Sequence, residues 1–460
     1  MSKDKSPTAF LYRFFRLFTV IHRGEGLTVF LLALNVFLLL SAYYIIKPVR
    51  EALILAGKGA EMKSYLAAAQ AVLLILVVKA FSGLASKIPR QVLITRVTLF
   101  FISNIVLFYA LYLAGVPLGT MGIIFFIWVG IFNIMVVAQF WAFSNDIYSH
   151  EAGKRLFPLI MFGANVGAFL GAKVASWLVV PLGVYQLMLV AGAILIVCIV
   201  LTRIVHRRET VAKPAVAMDA VPASEEDKEK PLAKGGGFRL VFKSRYLLLI
   251  AGLILLLNLV NTTGEYILGK VIVETAEEAV RTGQAAGVEV KELIGRLYAD
   301  FFFWVNLLTM AIQLLLVSRI YKRFGVRGAL FFLPLIAFGG YLFVALGASL
   351  LIVRWAKTAE NATDYSLMNT TRQALFLVVS REAKYKAKMA IDTFVVRAGD
   401  VLSALLVFVG TTYLAFNAEK FAVFNVAVAV VWIVLCVLIA REHKRLAAAA
   451  TESGSADTPK

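Results

Sequence analysis

LTVFLLALNVFLLLSAYYIIKPVREALIL, residues 27–55, is a nearly unbroken apolar run with a lysine, an arginine and a glutamate embedded near its end. A helix needs about 20 apolar residues to cross a bilayer core, and this run reaches that length just before Lys47. Lys47, Arg50 and Glu51 therefore sit either in an outer loop after a break at Pro48 or, if the helix continues into ALIL, at membrane depth. A charge in hydrocarbon costs on the order of 3 kcal/mol or more, so it persists mainly where it lines a wet cavity or meets a partner.

Similar runs recur along the chain. They cover 63–86, 91–114, 119–145, 155–180 and 184–204, and then 245–269, 296–320, 328–347, 350–379, 386–415 and 420–440. With 60% hydrophobic residues among 460, the composition lies outside soluble usage, where roughly half are apolar. Continuous runs predict helices, because barrel strands alternate apolar and polar over about 10 residues. The expected fold is all-α: a polytopic membrane protein of about twelve transmembrane helices in two pseudo-symmetric halves, residues 1–204 and 238–445. Residues 205–237, with prolines, an EEDKEK run and a GGG, read as a flexible cytoplasmic linker, and 446–460 as a disordered tail.

The net charge of +19 follows topology and does not point to nucleic acid. Basic loops (Lys87 and Arg90; Lys154 and Arg155; Arg203, Arg207 and Arg208; Arg319 to Arg327; Lys384, Lys386 and Lys388) alternate with uncharged turns at 115–119, 180–184 and 346–349. By the positive-inside rule both termini are expected in the cytoplasm, and the inner membrane is the expected location. FLYRFFRLF at 10–18 reads as an interfacial helix, not a cleaved signal. The acidic stretch 270–300 is expected to form a small amphipathic helix outside the membrane. Cys198 and Cys436 read as buried small hydrophobes without a disulfide.

The halves echo one another. FRLFTVIHR at 15–23 precedes the first span as FRLVFKSR at 238–245 precedes the seventh, and NVGAFLGA at 165–172 matches RAGDVLSA at 397–404. That match pairs Asn165 with Arg397 and Gly167 with Gly399. Two six-helix halves in the same orientation give the major facilitator layout, with substrate held near midplane between repeats.

Charged residues cluster by helical face. Arg354, Lys357, Glu360, Asn361 and Asp364 share one broad face of the tenth span, either lining a path or pairing to fix packing. The seventh offers Asn258, Asn261, Thr262 and Glu265, with Glu265 aligned to Glu51, and the alternative there is an interhelical contact. Lys173 lies nearer mid-membrane than Lys79, which could snorkel. Gly163, Gly167 and Gly171 recur every fourth residue and predict close helix approach. GEYILGKV at 264–271 is a chance likeness to a phosphate loop, since Val271 replaces Ser or Thr and no strand precedes it. The four histidines are scattered, so no metal site, cofactor or catalytic triad is expected. Without ATPase machinery in view, transport would run on a gradient or on exchange.

FWAFSNDIYSHEAGKRLFPLIMFGANVGAFLGA at 140–172 and DYSLMNTTRQALFLVVSREAKYKAKMAIDTFVVRAGDVLSA at 364–404 resemble the ATP/ADP translocase family of intracellular bacteria and plastids. The resemblance implies membrane exchange of nucleotides, with embedded lysines and glutamates handling a phosphate-bearing substrate. Arg50 stands where that family has a lysine, and Asp364 and Asp400 replace two further lysines.

The leading expectation is a secondary transporter working by alternating access and exchanging nucleotides or a related organic anion. Arg50, Lys47, Lys173, Asn165, Asn261, Lys357, Asn361 and Arg397 would bind substrate, and Glu51, Glu265, Glu360, Asp364, Asp392 and Asp400 would gate or couple. These groups are expected to meet in one aqueous chamber. The alternatives are a proton-coupled carrier of a non-nucleotide metabolite and a lipid-handling or scaffolding relative. Expected partners are a small anion and the lipid bilayer, without nucleic acid. The oligomeric state stays open, a monomer being sufficient.

Overall fold

A computed structural model describes residues 25–85, 90–148, 150–212, 237–347, 349–380 and 383–456. It is 93% helical and contains no strand among those residues. The expected interfacial helix at 10–18, the first echo at 15–23 and residues 213–236 of the linker lie outside them, whereas 205–212, expected as linker, continue the helix that ends at Ala212.

The first apolar run settles the question posed by Pro48. Helix α1 (Glu25–Ala85) continues through Pro48 and breaks only at Gly59, with φ 81° and ψ 178°, a conformation glycine adopts readily. Lys47, Arg50 and Glu51 are therefore helical, and Glu51 is only 1% exposed. Then follow α2 (Arg90–Leu113), α3 (Leu118–Phe132), α4 (Ala138–Ile147), α5 (His150–Leu182) and α6 (Val184–Ala212). The second half contains α7 (Gly237–Lys243), α8 (Arg245–Arg281), α9 (Val290–Ala311), α10 (Val317–Ala329), α11 (Phe332–Leu346), α12 (Leu350–Thr363) and α13 (Asn369–Leu375). It ends with α14 (Lys388–Ala390), α15 (Val396–Thr412) and α16 (Ala418–Ala456). Short π-helical segments join α3 to α4, α9 to α10, α12 to α13 and α14 to α15.

Nine helical stretches among the described residues are long and apolar enough to cross a membrane, against about twelve expected. The difference has three sources. The first two expected spans form one stretch, Glu25–Lys79, the ninth is the shorter helix Phe332–Leu346, and the tenth carries the polar face of α12. The separate amphipathic helix expected at 270–300 is corrected. Its Ala- and Glu-rich sequence extends α8 to Arg281, and α9 starts at Val290, with Gly283 and Gly287 at φ 77° and 79° in the turn between. The last helix runs to Ala456, past Arg445, carried by an alanine-rich run of high helix propensity.

The described chain forms two compact units. One holds residues up to Gly57, those from Leu74 to the end of α6, and Gly287–Phe303; the other holds Lys58–Leu73, α7 to Ala286, and Trp304 onward. In the first, Phe101, Phe108, Phe125, Trp128 and Phe132 of α2 and α3 make a buried aromatic column, with Phe125 and Trp128 stacked at 5.3 Å. In the second, α8, α11 and α16 pack together around the buried Tyr266 and Trp432.

Lipid tails are as apolar as side chains, so helix association depends on close packing more than on leaving water. The four-residue glycine period supplies it. A Cβ at Gly163, Gly167 or Gly171 of α5 would lie 2.6, 2.2 and 2.6 Å from the carbonyl oxygens of Ala33, Phe37 and Ser41 of α1. At Gly399 of α15, the counterpart of Gly167, a Cβ would lie 2.6 Å from the side-chain Cβ of Asn258 on α8. Gly167→Ala is expected to cost about 1–3 kcal/mol by overpacking, read as a lower unfolding temperature in detergent. Gly339→Ala, with nothing within 4 Å of its Cβ position, should leave that temperature unchanged or higher.

Candidate functional site

The polar face of α12 forms the most enclosed charge cluster. Ser349 caps the helix, accepting from Ile352 N at 3.5 Å, and the spacing of 357, 360 and 361 directs those side chains toward α8 and α11. Lys357 is 2% exposed and its Nζ donates to Glu360 Oε1 at 3.1 Å and to the Asn261 carbonyl at 2.9 Å, with Asn261 Oδ1 a third acceptor. Tyr341 Oη of α11 donates to Glu360 Oε2 at 2.5 Å. Asn361 Nδ2 donates to Glu265 Oε1 at 3.1 Å, and Lys63 Nζ lies 3.4 Å from Glu265 Oε2. Gly264 leaves room for this arrangement, because a Cβ there would fall 1.8 Å from Tyr341 Oη and 3.2 Å from Lys357 Nζ.

Three further acids belong to the same unit. Arg397 pairs with Asp400 at 3.2 Å, and Asp400 also accepts from Thr262 at 3.4 Å. Asn261 and Thr262, adjacent on α8, thus hold separate ion pairs, so Arg397 is not joined directly to Lys357. Asp392 accepts from Lys388 at 2.6 Å and lies 3.7 Å from Arg372. Asp364 opens a π-helical turn, and its Oδ1 is buried without a hydrogen-bond partner among the described residues.

In the first unit, Arg50 is ion-paired with the buried Glu51 and stacks 4.9 Å from the Phe126 ring. Lys47 lies 4.0 Å over Phe302. Lys173 is 3.7 Å from Asp300, which also accepts from Ser176 at 2.7 Å. Asn165 is half-buried on α5, one helix turn before Phe169. Outside the spans, burial and the carboxylates of Glu209 and Glu25 hold the Tyr148 hydroxyl well above its ordinary range, keeping it a donor.

Asp300, Tyr341, Lys63 and Glu61 were not singled out in the sequence. Asp300 had a signal, an acid in the apolar YADFFFWV of the eighth expected span. Tyr341 had none, since tyrosine is ordinary in an apolar helix.

The TLC ATP/ADP transporter family matches residues 121–443. The chain belongs to that family. It is a family of transporters, not enzymes, and the chain is a multi-pass membrane protein. Among relatives, ADP,ATP carrier protein 1 of Chlamydia muridarum (strain MoPn / Nigg) is 25% identical over 307 residues, 58% of this chain and 54% of that one. ADP,ATP carrier protein 2 of Chlamydia pneumoniae is 24% identical over 368 residues, 69% and 64% of the two chains. The chain thus spans little more than half the length of the first of these relatives. Solved structures share the fold at low identity. The nucleoside transporter NupG superposes with TM-score 0.60 at 11% identity, covering 90% of this chain and 98% of that one. A bacterial homologue of the iron transporter ferroportin reaches 0.63 at 12%, covering 90% and 98%. The fold is of the major facilitator type. Lys357, Glu360, Glu265 and Asp364 fall inside the family match; Lys47, Arg50 and Glu51 precede it.

Removing one member of a buried ion pair typically costs about 3–5 kcal/mol, whereas replacing both by apolar groups is often neutral. Lys357→Met alone should therefore lower the unfolding temperature in detergent sharply, and Lys357→Met with Glu360→Met should recover most of the loss.

Proposed function

We propose that this chain is a secondary transporter that exchanges phosphate-bearing organic anions of the ATP and ADP class across the inner membrane, by alternating access of its two pseudo-repeated halves, with both termini in the cytoplasm. The carrying observation is Lys357, an enclosed ammonium whose acceptors are one carboxylate, one amide and one carbonyl of its own chain. Those partners neutralise the cation when no solute is present, and an incoming anion can replace Glu360 without leaving the charge bare. Asn261 and Asn361 supply polar groups on either side. Arg397, in the same unit and beside Asp400, adds positive field, and within the first unit Arg50, Lys47 and Lys173 are candidate anion ligands, each beside a carboxylate or an aromatic face. Membership of the TLC family and the names of its chlamydial relatives favour a nucleotide as the anion.

Proteoliposomes loaded with unlabelled ATP or ADP should take up the labelled counterpart. A hydrogen bond to a charged group is worth about 1.5–3 kcal/mol, or roughly tenfold to a hundredfold, so Lys357→Ala should reduce exchange by about that factor. Unchanged exchange in Lys357→Ala would remove this site.

Proton coupling is favoured by one further observation, the buried Asp364 oxygen that lacks a donor among the described residues. Protonation would relieve its desolvation. An inward proton gradient should then accelerate net uptake by the parent protein and not by Asp364→Asn; equal acceleration in both would exclude Asp364 as the proton carrier.

A further inference from the structure

A second enclosed cation, Lys63, extends this site. After the break at Gly59, residues 58–73 belong to the second compact unit although they come from the first half of the sequence. Two polar contacts fasten them to successive residues of α8: Lys63 Nζ lies 3.4 Å from Glu265 Oε2, and Tyr266 Oη donates to Glu61 Oε1 at 2.8 Å. Farther along, the Tyr65 ring meets Phe408 of α15 at 6.3 Å. Lys63 is 8% exposed. Glu265 divides its carboxylate, one oxygen toward Lys63 and the other accepting from Asn361. Asn361 follows Glu360, which holds Lys357. One chain of polar groups thus runs from Lys63 through the part-exposed Glu265 and Asn361 to its sequence neighbour Glu360 and on to Lys357, two ammonium groups facing two carboxylates.

We infer that Lys63 is the second ammonium of the anion site, and that a ligand with at least two negative charges unfastens residues 58–73 from α8 by taking Lys63 from Glu265. The inference rests on the function proposed above. A monoanion matches one ammonium and leaves the other with its carboxylate. A dianion matches both, and its charge repels Glu265 while Asn361 Nδ2 becomes a donor to it. Occupancy is thereby converted into release of the ion pair that joins residues 58–73 to α8 beside the site. An uncharged molecule of the same shape does neither.

The test uses the full chain in nanodiscs, with Cys198 and Cys436 replaced by alanine and a Tyr65→Cys, Phe408→Cys pair as reporter. Yield with a short bis-methanethiosulfonate, which joins two cysteine thiols with release of two sulfinates, is read alongside thermal stabilisation by the same ligands, since a ligand bound to the folded state raises the unfolding temperature. ATP and ADP are expected to lower the yield several-fold, and adenosine to leave it unchanged. Lys63→Ala should show the low yield without ligand. Lys63→Glu with Glu265→Lys should restore a high yield that neither single variant has, which a lysine needed only for packing would not do. If ATP stabilises the protein yet leaves the yield unaltered, or if adenosine lowers it as ATP does, this inference is overturned while anion binding stands. If neither ATP, ADP nor inorganic phosphate stabilises the protein, the underlying reading falls and this one with it.

Discussion

An ammonium group enclosed by helices inside a membrane protein has to be matched by charge and by hydrogen-bond acceptors, and Lys357 at 2% exposure meets that constraint through three acceptor atoms on two residues. Glu360 supplies the countercharge, Asn261 supplies two oxygens, Tyr341 completes the carboxylate, and Gly264 withholds a side chain so that the other groups fit. The pair is a poor source of stability, because taking two ions out of water offsets most of their attraction. For the exchange proposed above, that near balance is useful. An internal carboxylate held too strongly would exclude the solute, and a bare cation would hold it too tightly to release.

The helices that present these groups are set by packing against one another. The α5 glycines bring its backbone against that of α1 along three successive turns, and Gly399 lets α15 close on α8 in the corresponding place. Ser41 adds a hydrogen bond to the Gly167 carbonyl at 3.2 Å, and Asn258 one to the Val396 carbonyl at 3.0 Å. Helices so joined act as stiff pairs. Lys47, Arg50 and Glu51 ride on α1 and Lys173 on α5, so movement of that pair carries all four charges together. On α8, Asn261, Thr262 and Glu265 are similarly fixed relative to Arg397 and Asp400 on α15.

Periodicity in the sequence tells which face a residue occupies, not which residue it meets. The shared face of Lys357, Glu360 and Asn361, the glycine period of α5 and the all-helical fold were legible for that reason. Their partners were not, because Asn261 and Lys357 are 96 residues apart, Ser176 and Asp300 are 124 apart, and Lys63 and Glu265 are 202 apart. The first helix illustrates a local ambiguity of the same kind. Pro48 and Gly59 could each end it, and proline is tolerated in membrane helices where neighbouring groups satisfy the freed carbonyl. The backbone turns at Gly59 instead, where φ is positive. The apolar stretches of the sequence outnumber the nine long apolar helices among the described residues because hydropathy cannot tell a broken helix from two helices, and a short or polar helix falls outside that nine.

Two aspartates look equivalent in the sequence, since Asp364 and Asp400 both stand where the resembled family carries lysine. Their surroundings separate them. Asp400 lies 3.2 Å from Arg397 and accepts from Thr262, so its charge is matched beside its own helix turn and subtracts little from the field farther away. Asp364 begins a π-helical turn, a feature often found at functional sites, and keeps one buried oxygen without a donor among the described residues. An ionised carboxylate in that state bears a desolvation cost that a proton removes, whereas protonating Asp400 would break an existing ion pair. Of the two sign changes, the one at Asp400 is compensated locally, and the one at Asp364 alters the charge that a solute at the proposed Lys357 site would meet.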